Sequence, residues 1–270
     1  MRHDIDGVRL NVLDEGSGEV VVFLHGLGGC WRDWAPQLDG LRDRYRCVVV
    51  EHRGHGRSEA TTGAYSTPLF AADVVRVCAA LGVERAHVVG LSMGGMIAQH
   101  VALEAPDLVD TLVLADTAAA MPAFVVDAFR SYAATVRDEG HNDSHGVVPE
   151  FSPAWSQQVL HDRPEVVRDN QRETEGTDPD AWYRAAIAVA EHDTTARLGD
   201  IKAPTLLLWG REDLLVPVDT LSPPLLAGIP TCHLEILDHA GHLSNLDQPD
   251  AFNALLTSFL AGKGSASGLD

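Results

Sequence analysis

Ala86-His87-Val88-Val89-Gly90-Leu91-Ser92-Met93-Gly94-Gly95-Met96-Ile97-Ala98-Gln99-His100-Val101-Ala102 is the stretch that decides the fold. Ala86 to Leu91 is a short apolar run of the kind found in strands covered on both faces. From Met93 the residues suit a helix that runs to Ala105 and is ended by Pro106. A lone serine stands at the junction. A serine hydroxyl is a poor nucleophile until it is exposed, oriented and deprotonated by a neighbour. A sharp strand-to-helix turn exposes it, and the crowding of that turn demands small residues two positions to either side, here Gly90 and Gly94. Gly95 lets the helix lie close on the sheet. Ser92 is the candidate nucleophile, and an ordinary Gly-Ser turn is the bland alternative.

Working outward, strands are expected over Val8 to Leu13 and Val20 to His25, with Gly16-Ser17-Gly18 as the turn between them. Trp34, Leu38 and Leu41 recur at helical spacing, and Cys47 to Val50 is another buried strand. Thr67-Pro68 opens a helix with Thr67 as N-cap, and Leu81-Gly82 closes it. On the other side, Thr111 to Ala115 is a strand. From 118 to 196 no strand is legible, whereas helical stretches occur at Val125 to Arg137 and Ala181 to Glu191, with a Pro- and His-containing segment, His141 to Pro153, between them. Strands return at Thr205 to Trp209 and His233 to Leu237, before a closing helix from Pro249 to Leu260. Alternating strands and helices predict an α/β fold with a mostly parallel sheet and helices on both faces. The expected core is 1–117 with 197–261, residues 118–196 form a helical cap, and 262–270 form a flexible Gly/Ser tail.

Each chemical candidate follows a predicted strand, where open α/β sheets carry their sites. His25-Gly26-Leu27-Gly28-Gly29 follows the second of them. Acyl transfer needs backbone N–H donors aimed at a developing oxyanion, and those of Leu27 and Met93 are the candidates. A strand, Gly26-x-Gly28 and a later acidic Glu51 also suggest a dinucleotide fingerprint, but its third glycine would fall at position 31, which is Trp31. His242, in the loop after the last strand, is the candidate base, with His239 its neighbour and competitor. Asp213 is the candidate acid that orients it, with Asp116 and Glu212 as alternatives. The order Ser, acid, His suits this architecture. A metal site at His233, His239 and His242 lacks a carboxylate or Cys at a familiar spacing, so no metal is expected. His25, Trp155 and Phe124 are the expected substrate-binding residues. Phe129, Phe151, Trp182 and Tyr183 are further aromatics for an apolar pocket.

Phe23-Leu24-His25-Gly26, Arg53-Gly54-His55-Gly56-Arg57-Ser58, Gly90-Leu91-Ser92-Met93-Gly94-Gly95, Gly210-Arg211-Glu212-Asp213 and Ala240-Gly241-His242-Leu243-Ser244-Asn245-Leu246-Asp247-Gln248-Pro249 together resemble the α/β-hydrolase superfamily, and most of all its 3-oxoadipate enol-lactonase and carboxylesterase branch. The resemblance implies an eight-stranded sheet, a helical cap and no cofactor. Glu51 stands where the family usually has Asp, in a loop read as structural. An enol-lactone bearing a free carboxylate would need a cation, for which Arg130, Arg137, Arg163, Arg168, Arg172 and Arg184 are the cap's candidates.

The rest of the chain bounds the partners. With 39 acidic and 20 basic residues the formal charge is 20 − 39 = −19, which argues against nucleic acid and anionic membranes. Cys30, Cys47, Cys78 and Cys232 form no C-x-x-C pair. That pattern, with no signal segment and no spanning stretch, leads to the expectation of a cytoplasmic protein. The expected partner is a small ester or lactone, and no residue pattern specifies an oligomer. Carbon–carbon bond hydrolysis, perhydrolysis, or ligand binding by a receptor that keeps the triad are the alternatives on the same residues.

Overall fold

The computed structural model of the protein describes residues 1–140 and 153–262. Eight strands form one sheet in the order β1-β2-β4-β3-β5-β6-β7-β8. They are β1 (Arg2–Ile5), β2 (Val8–Gly16), β3 (Glu19–Leu24), β4 (Tyr45–Val50), β5 (Ala86–Leu91), β6 (Val109–Ala115), β7 (Thr205–Gly210) and β8 (Cys232–Leu237). The pairs β1·β2 and β2·β4 are antiparallel and all others parallel. β1 was not legible as a strand in its charged sequence. Its signal is the Asp6-Gly7 pair at positive φ, which makes a two-residue hairpin joining Ile5 to Val8.

The helices are α1 (Ala35–Leu41), α2 (Thr67–Ala80), α3 (Met93–Glu104), α4 (Ala123–Glu139), α5 (Gln157–Asp162), α6 (Pro164–Glu175), α7 (Pro179–Ala190), α8 (Val218–Gly228), α9 (Ser244–Asp247) and α10 (Pro249–Ala261). The period-2 alternation of strand side chains splits the core in two. Val22, Leu24, Val48 and Val50 pack with Phe70, Ile97 and Leu225 from α2, α3 and α8. Val21, Phe23, Cys47 and Val49 pack with Trp34, Leu38, Phe252 and Phe259 from the side of α1 and α10. Two-sided burial explains the continuous apolar runs. The cysteines among these residues are free thiols, and burial pushes those of Cys47 and Cys78 up to about 12.

Two local expectations are corrected. Ser66, not Thr67, caps α2: its backbone is extended and its hydroxyl accepts the Leu69 N–H at 3.2 Å, so Thr67 and Pro68 occupy the first turn. α8 was hidden by Pro223 and Pro224, which lie inside it. Between β6 and β7 the described residues carry α4 to α7 and a single isolated bridge, Ala120 to Asp193. Most of the His141 to Pro153 segment, Phe151 included, and all but Gly262 of the tail lie outside the described residues. Among the described residues no helix is long and apolar enough to cross a membrane.

Candidate active site

The chain winds from β3 to β4 in one direction and then crosses to β5 on the other side of β3. The crevice at such a reversal is where open α/β sheets take ligands. Leu24 is in register with Gly90, so the loop after β3 lies beside the turn after β5. Leu91 pairs with Ala115 and Gly210 with Leu237, which brings Asp116 and the loops after β7 and β8 to the same edge.

Ser92 holds φ 55° and ψ −120°, a conformation rare for a residue with a side chain. Its neighbours explain how that is held. A Cβ at Gly90 would run into the Gly94 carbonyl, and one at Gly94 into the Leu24 carbonyl. At Gly95 it would stand 2.6 Å from Thr117 Cβ. The Ser92 N–H donates to Ala115 O at 2.9 Å, and the Thr117 hydroxyl donates to Ser92 O at 2.7 Å. Strand and helix are thus pressed together until only the serine side chain faces outward.

The structure brings Ser92, His242 and Asp213 together. His242 Nε2 is 2.9 Å from Ser92 Oγ, and His242 Nδ1 is 2.8 Å from Asp213 Oδ2. The second oxygen of Asp213 accepts the N–H groups of Leu215 and Val216 at 2.9 and 2.8 Å, which leaves Oδ2 for the imidazole. Leu27 and Met93 N–H have no hydrogen-bond partner among the described residues. A side chain at Gly26 would stand 3.4 Å from Ser92 Cβ, so this loop is packed directly against the serine. Such a set can deprotonate a hydroxyl at one end and receive an oxyanion at the other.

The loop carrying His242 is braced by residues whose roles were not legible. Asp116 is buried: its Oδ1 accepts the Gly210 N–H at 2.8 Å and its Oδ2 accepts the Ser244 hydroxyl. Burial, and secondarily the neighbouring Asp213 charge, push its carboxyl well above the usual range. Asp116 therefore ties β7 to the His242 loop rather than meeting the imidazole. Asp247 Oδ2 accepts the N–H of Gly241 and that of Ser156 at 3.0 Å. Glu212 instead accepts Gln157 N–H at 3.2 Å, and exposed His239 lies 3.7 Å from Glu212.

The cavity above Ser92 has a volume of about 250 Å³. Met96, Met121, Val125, Phe129, Val189 and Val216 make one side of it apolar. Asp33, Asn170, Thr174 and Trp182 stand on another. All three expected substrate-binding residues lie elsewhere. Phe124 is 83% exposed, because α4 turns Val125 and Phe129 inward and leaves Phe124 on its outer face. Trp155 is buried in the α10-side core, where its backbone abuts Gly241. His25 is buried behind the loop it precedes. Its Nδ1 donates to Gly26 O at 2.8 Å, its Nε2 accepts the His52 N–H at 3.1 Å, and burial pushes it down to about 4. It shapes the glycine loop instead of lining the cavity. Glu51 likewise is spent on protein groups, accepting Trp31 and Arg57 N–H at 3.2 and 2.6 Å.

None of the six arginines considered as a cation for a carboxylate lines the cavity. Arg130 pairs with Glu191, Arg172 with Asp169 and Arg137 with Asp138. Arg163 donates to Leu246 O, and Arg184 lies over the Tyr65 ring. Among the described residues no group of three His, Cys, Asp or Glu side chains is placed to hold a metal ion.

Comparison with known proteins agrees with this architecture. The model of the alpha/beta hydrolase fold family matches residues 19–249. A protein assigned as the carbamate hydrolase RutD, from a Caulobacter species, is 32% identical over 249 residues, covering 91% of each chain. The 3-oxoadipate enol-lactonase 2 of Acinetobacter baylyi is 29% identical over 252 residues, again covering 91% of each. A solved structure described as an N-acyl homoserine lactone degrading enzyme superposes with a TM-score of 0.83 at 31% identity, covering 96% of this chain and 100% of its own.

Proposed function

This chain belongs to the alpha/beta hydrolase fold family, and from that premise we propose that it is a serine hydrolase that cleaves an uncharged ester or lactone through an acyl-enzyme. The observation that carries the reading is the unbroken hydrogen-bond chain from Asp213 through His242 to Ser92, opening on a largely apolar cavity beside two unoccupied N–H donors. The names of the relatives, two of which concern lactones, are consistent with it.

In the proposed cycle Ser92 Oγ attacks the substrate carbonyl carbon while His242 Nε2 takes the hydroxyl proton. Asp213 stabilises the resulting imidazolium through Nδ1–H. The N–H groups of Leu27 and Met93 hold the tetrahedral oxyanion. As the C–O bond breaks, His242 returns its proton to the leaving oxygen, and the acyl group stays on Ser92. Water, deprotonated by the same imidazole, then attacks the acyl carbon and releases the acid.

The lack of an arginine or lysine among the described lining residues argues against a substrate with a free carboxylate. Residues 141–152 contain no arginine or lysine either. A panel of neutral esters, lactones, carbamates and vinylogous diketones, each also tested in its carboxylate-bearing form, tests the reading. Hydrolysis of neutral esters or lactones is expected to dominate. Cleavage confined to carbamates or to carbon–carbon bonds would overturn the bond assignment. Tight ligand binding without turnover would favour a receptor.

The two phenylalanines of α4 separate lining from proximity. Phe129→Ala should raise KM for a medium-chain ester by roughly 10-fold through lost apolar contact. Phe124→Ala, on the outer face, should leave kcat/KM within about 2-fold. Steady-state kinetics on the two variants checks the pair, and a larger effect from Phe124 would mean that α4 presents its other face.

A further inference from the structure

Residues 154–157, between β6 and β7, are stitched to the two loops that carry Asp213 and His242. Gln157 N–H donates to the carboxylate of Glu212, the residue before Asp213, at 3.2 Å. Leu243 N–H, just after His242, donates to Ala154 O at 3.3 Å. Asp247 Oδ2 accepts the Ser156 N–H at 3.0 Å and the Gly241 N–H as well. Gly241 immediately precedes His242, so one carboxyl oxygen joins the peptide before the imidazole to the backbone of a distant segment. The two backbones are in direct contact: a Cβ at Gly241 would stand 2.8 Å from Trp155 C and 2.9 Å from Ser156 N. Arg163 holds the same segment to α9 by donating to the carbonyls of Leu246 and Asp247.

Asp247 is 1% exposed, and burial pushes its carboxyl up to about 6. A buried carboxyl is costly, and the two backbone donors on its Oδ2 offset part of that cost. The core holds the His242 loop at other points. Glu212 N–H donates to Ala240 O at 2.8 Å, and the Ser244 hydroxyl meets Asp116. Asp247 acts between those two ties, on the peptide next to the imidazole. His242 must keep 2.9 Å to Ser92 Oγ and 2.8 Å to Asp213 Oδ2 at once. A misplacement of about 1 Å in such a set can cost about 100-fold in rate. Neither Asp247 nor residues 154–157 are among the residues lining the cavity, so any effect they have on turnover passes through His242 rather than through substrate contact.

We propose that Asp247 is a positioning residue for His242, and that through it the backbone of residues 154–157 sets where the imidazole stands. This rests on Ser92 being the nucleophile and His242 its base, and one arm of the test needs no turnover.

Asp247→Ala removes both bonds, whereas Asp247→Asn keeps an acceptor oxygen for them and removes the charge. Asp247→Ala should lower kcat on the preferred ester about 100-fold and leave KM within about 3-fold. Asp247→Asn should bring kcat back to within about 10-fold of the wild type. Thermal melting establishes which variants are folded. If the alanine variant is not, Asp247→Glu carries the test: it keeps the charge, moves the oxygens by one methylene and should lower kcat about 10-fold. Proton NMR on the resting enzyme reads the His242 Nδ1–H directly, since a proton held between imidazole and carboxylate gives a low-field signal. That signal should be sharp in the wild type and in Asp247→Asn, and lost to exchange in Asp247→Ala. A merely structural role would lower the melting temperature and leave both kcat and the signal unchanged. A folded Asp247→Ala, or Asp247→Glu in its place, with kcat within about 2-fold, with the signal intact, or with a rise in KM alone would overturn the positioning role. A wild type that cleaves no ester, with the signal still lost in Asp247→Ala, would overturn the hydrolase reading and leave the positioning of His242 standing.

Discussion

Ser92→Ala should lower kcat on any ester that the wild type cleaves by about 10⁵- to 10⁶-fold. The substitution removes the only atom placed to bond with the carbonyl carbon, and it leaves His242 with nothing to deprotonate but water. The rest of the site stays in place, because the Ser92 backbone is held by Ala115 O and the Thr117 hydroxyl, and its Oγ has a hydrogen bond to His242 alone among the described residues. Stability should therefore change by less than about 1 kcal/mol. The Leu27 and Met93 donors persist, so a residual rate above that in water remains. Rates on the preferred ester and labelling by a serine-directed phosphonate, read side by side with thermal melts, check this. A variant that melts normally, escapes labelling and still turns over at more than a hundredth of the wild-type rate would remove Ser92 from the mechanism.

Asp213→Asn should cost about 10³- to 10⁴-fold in kcat for a different reason. Asp213 Oδ1 accepts two backbone N–H groups, from Leu215 and Val216. An asparagine must keep its carbonyl oxygen there, which turns its NH₂ toward His242 Nδ1. The imidazole then holds its proton on Nε2, pointing at the Ser92 oxygen it is meant to deprotonate. The geometry survives and the tautomer is wrong. Asp116 cannot substitute, because its oxygens are committed to Gly210 N–H and the Ser244 hydroxyl. Kinetics with a thermal melt tests this: near wild-type turnover in a folded variant would show that Asp213 does not set the tautomer.

Much of the site was legible from short stretches. The elbow at Ser92 announces itself because its sterics are local: residues two positions away must lack a Cβ, whatever lies beyond. The strands were legible because a parallel sheet buried on both faces tolerates only apolar runs such as Cys47 to Val50. Chain order after the strands of a parallel sheet pointed to Asp213 and His242 but left Asp116, Glu212 and His239 as alternatives, since every such loop emerges at the same edge; it is the hydrogen bond of Asp213 to His242 that separates them. Local rules also misled. Thr67 before a proline is a sound N-cap motif, but Ser66 stands one residue earlier with the extended backbone that a cap needs. Asp6-Gly7 was a hairpin signal hidden in a charged stretch.

The cavity was another matter. An aromatic residue in the segment between β6 and β7 is equally suited to lining, packing or solvent, and only the rotation of α4 about its axis decides that Phe129 turns inward and Phe124 outward. Trp155 went to the core because Asp247, 91 residues from Ser156, fixes that backbone under the His242 loop. The polar side depends on Asn170 meeting Asp33 across 137 residues. By itself, then, the sequence determined seven of the eight strands, the elbow and the order of Ser92, Asp213 and His242 along the chain, since each follows from sterics and periodicity within a few residues. Tertiary structure alone decided what surrounds Ser92, because which side chains line a cavity depends on how helices distant in the chain are packed and turned against each other.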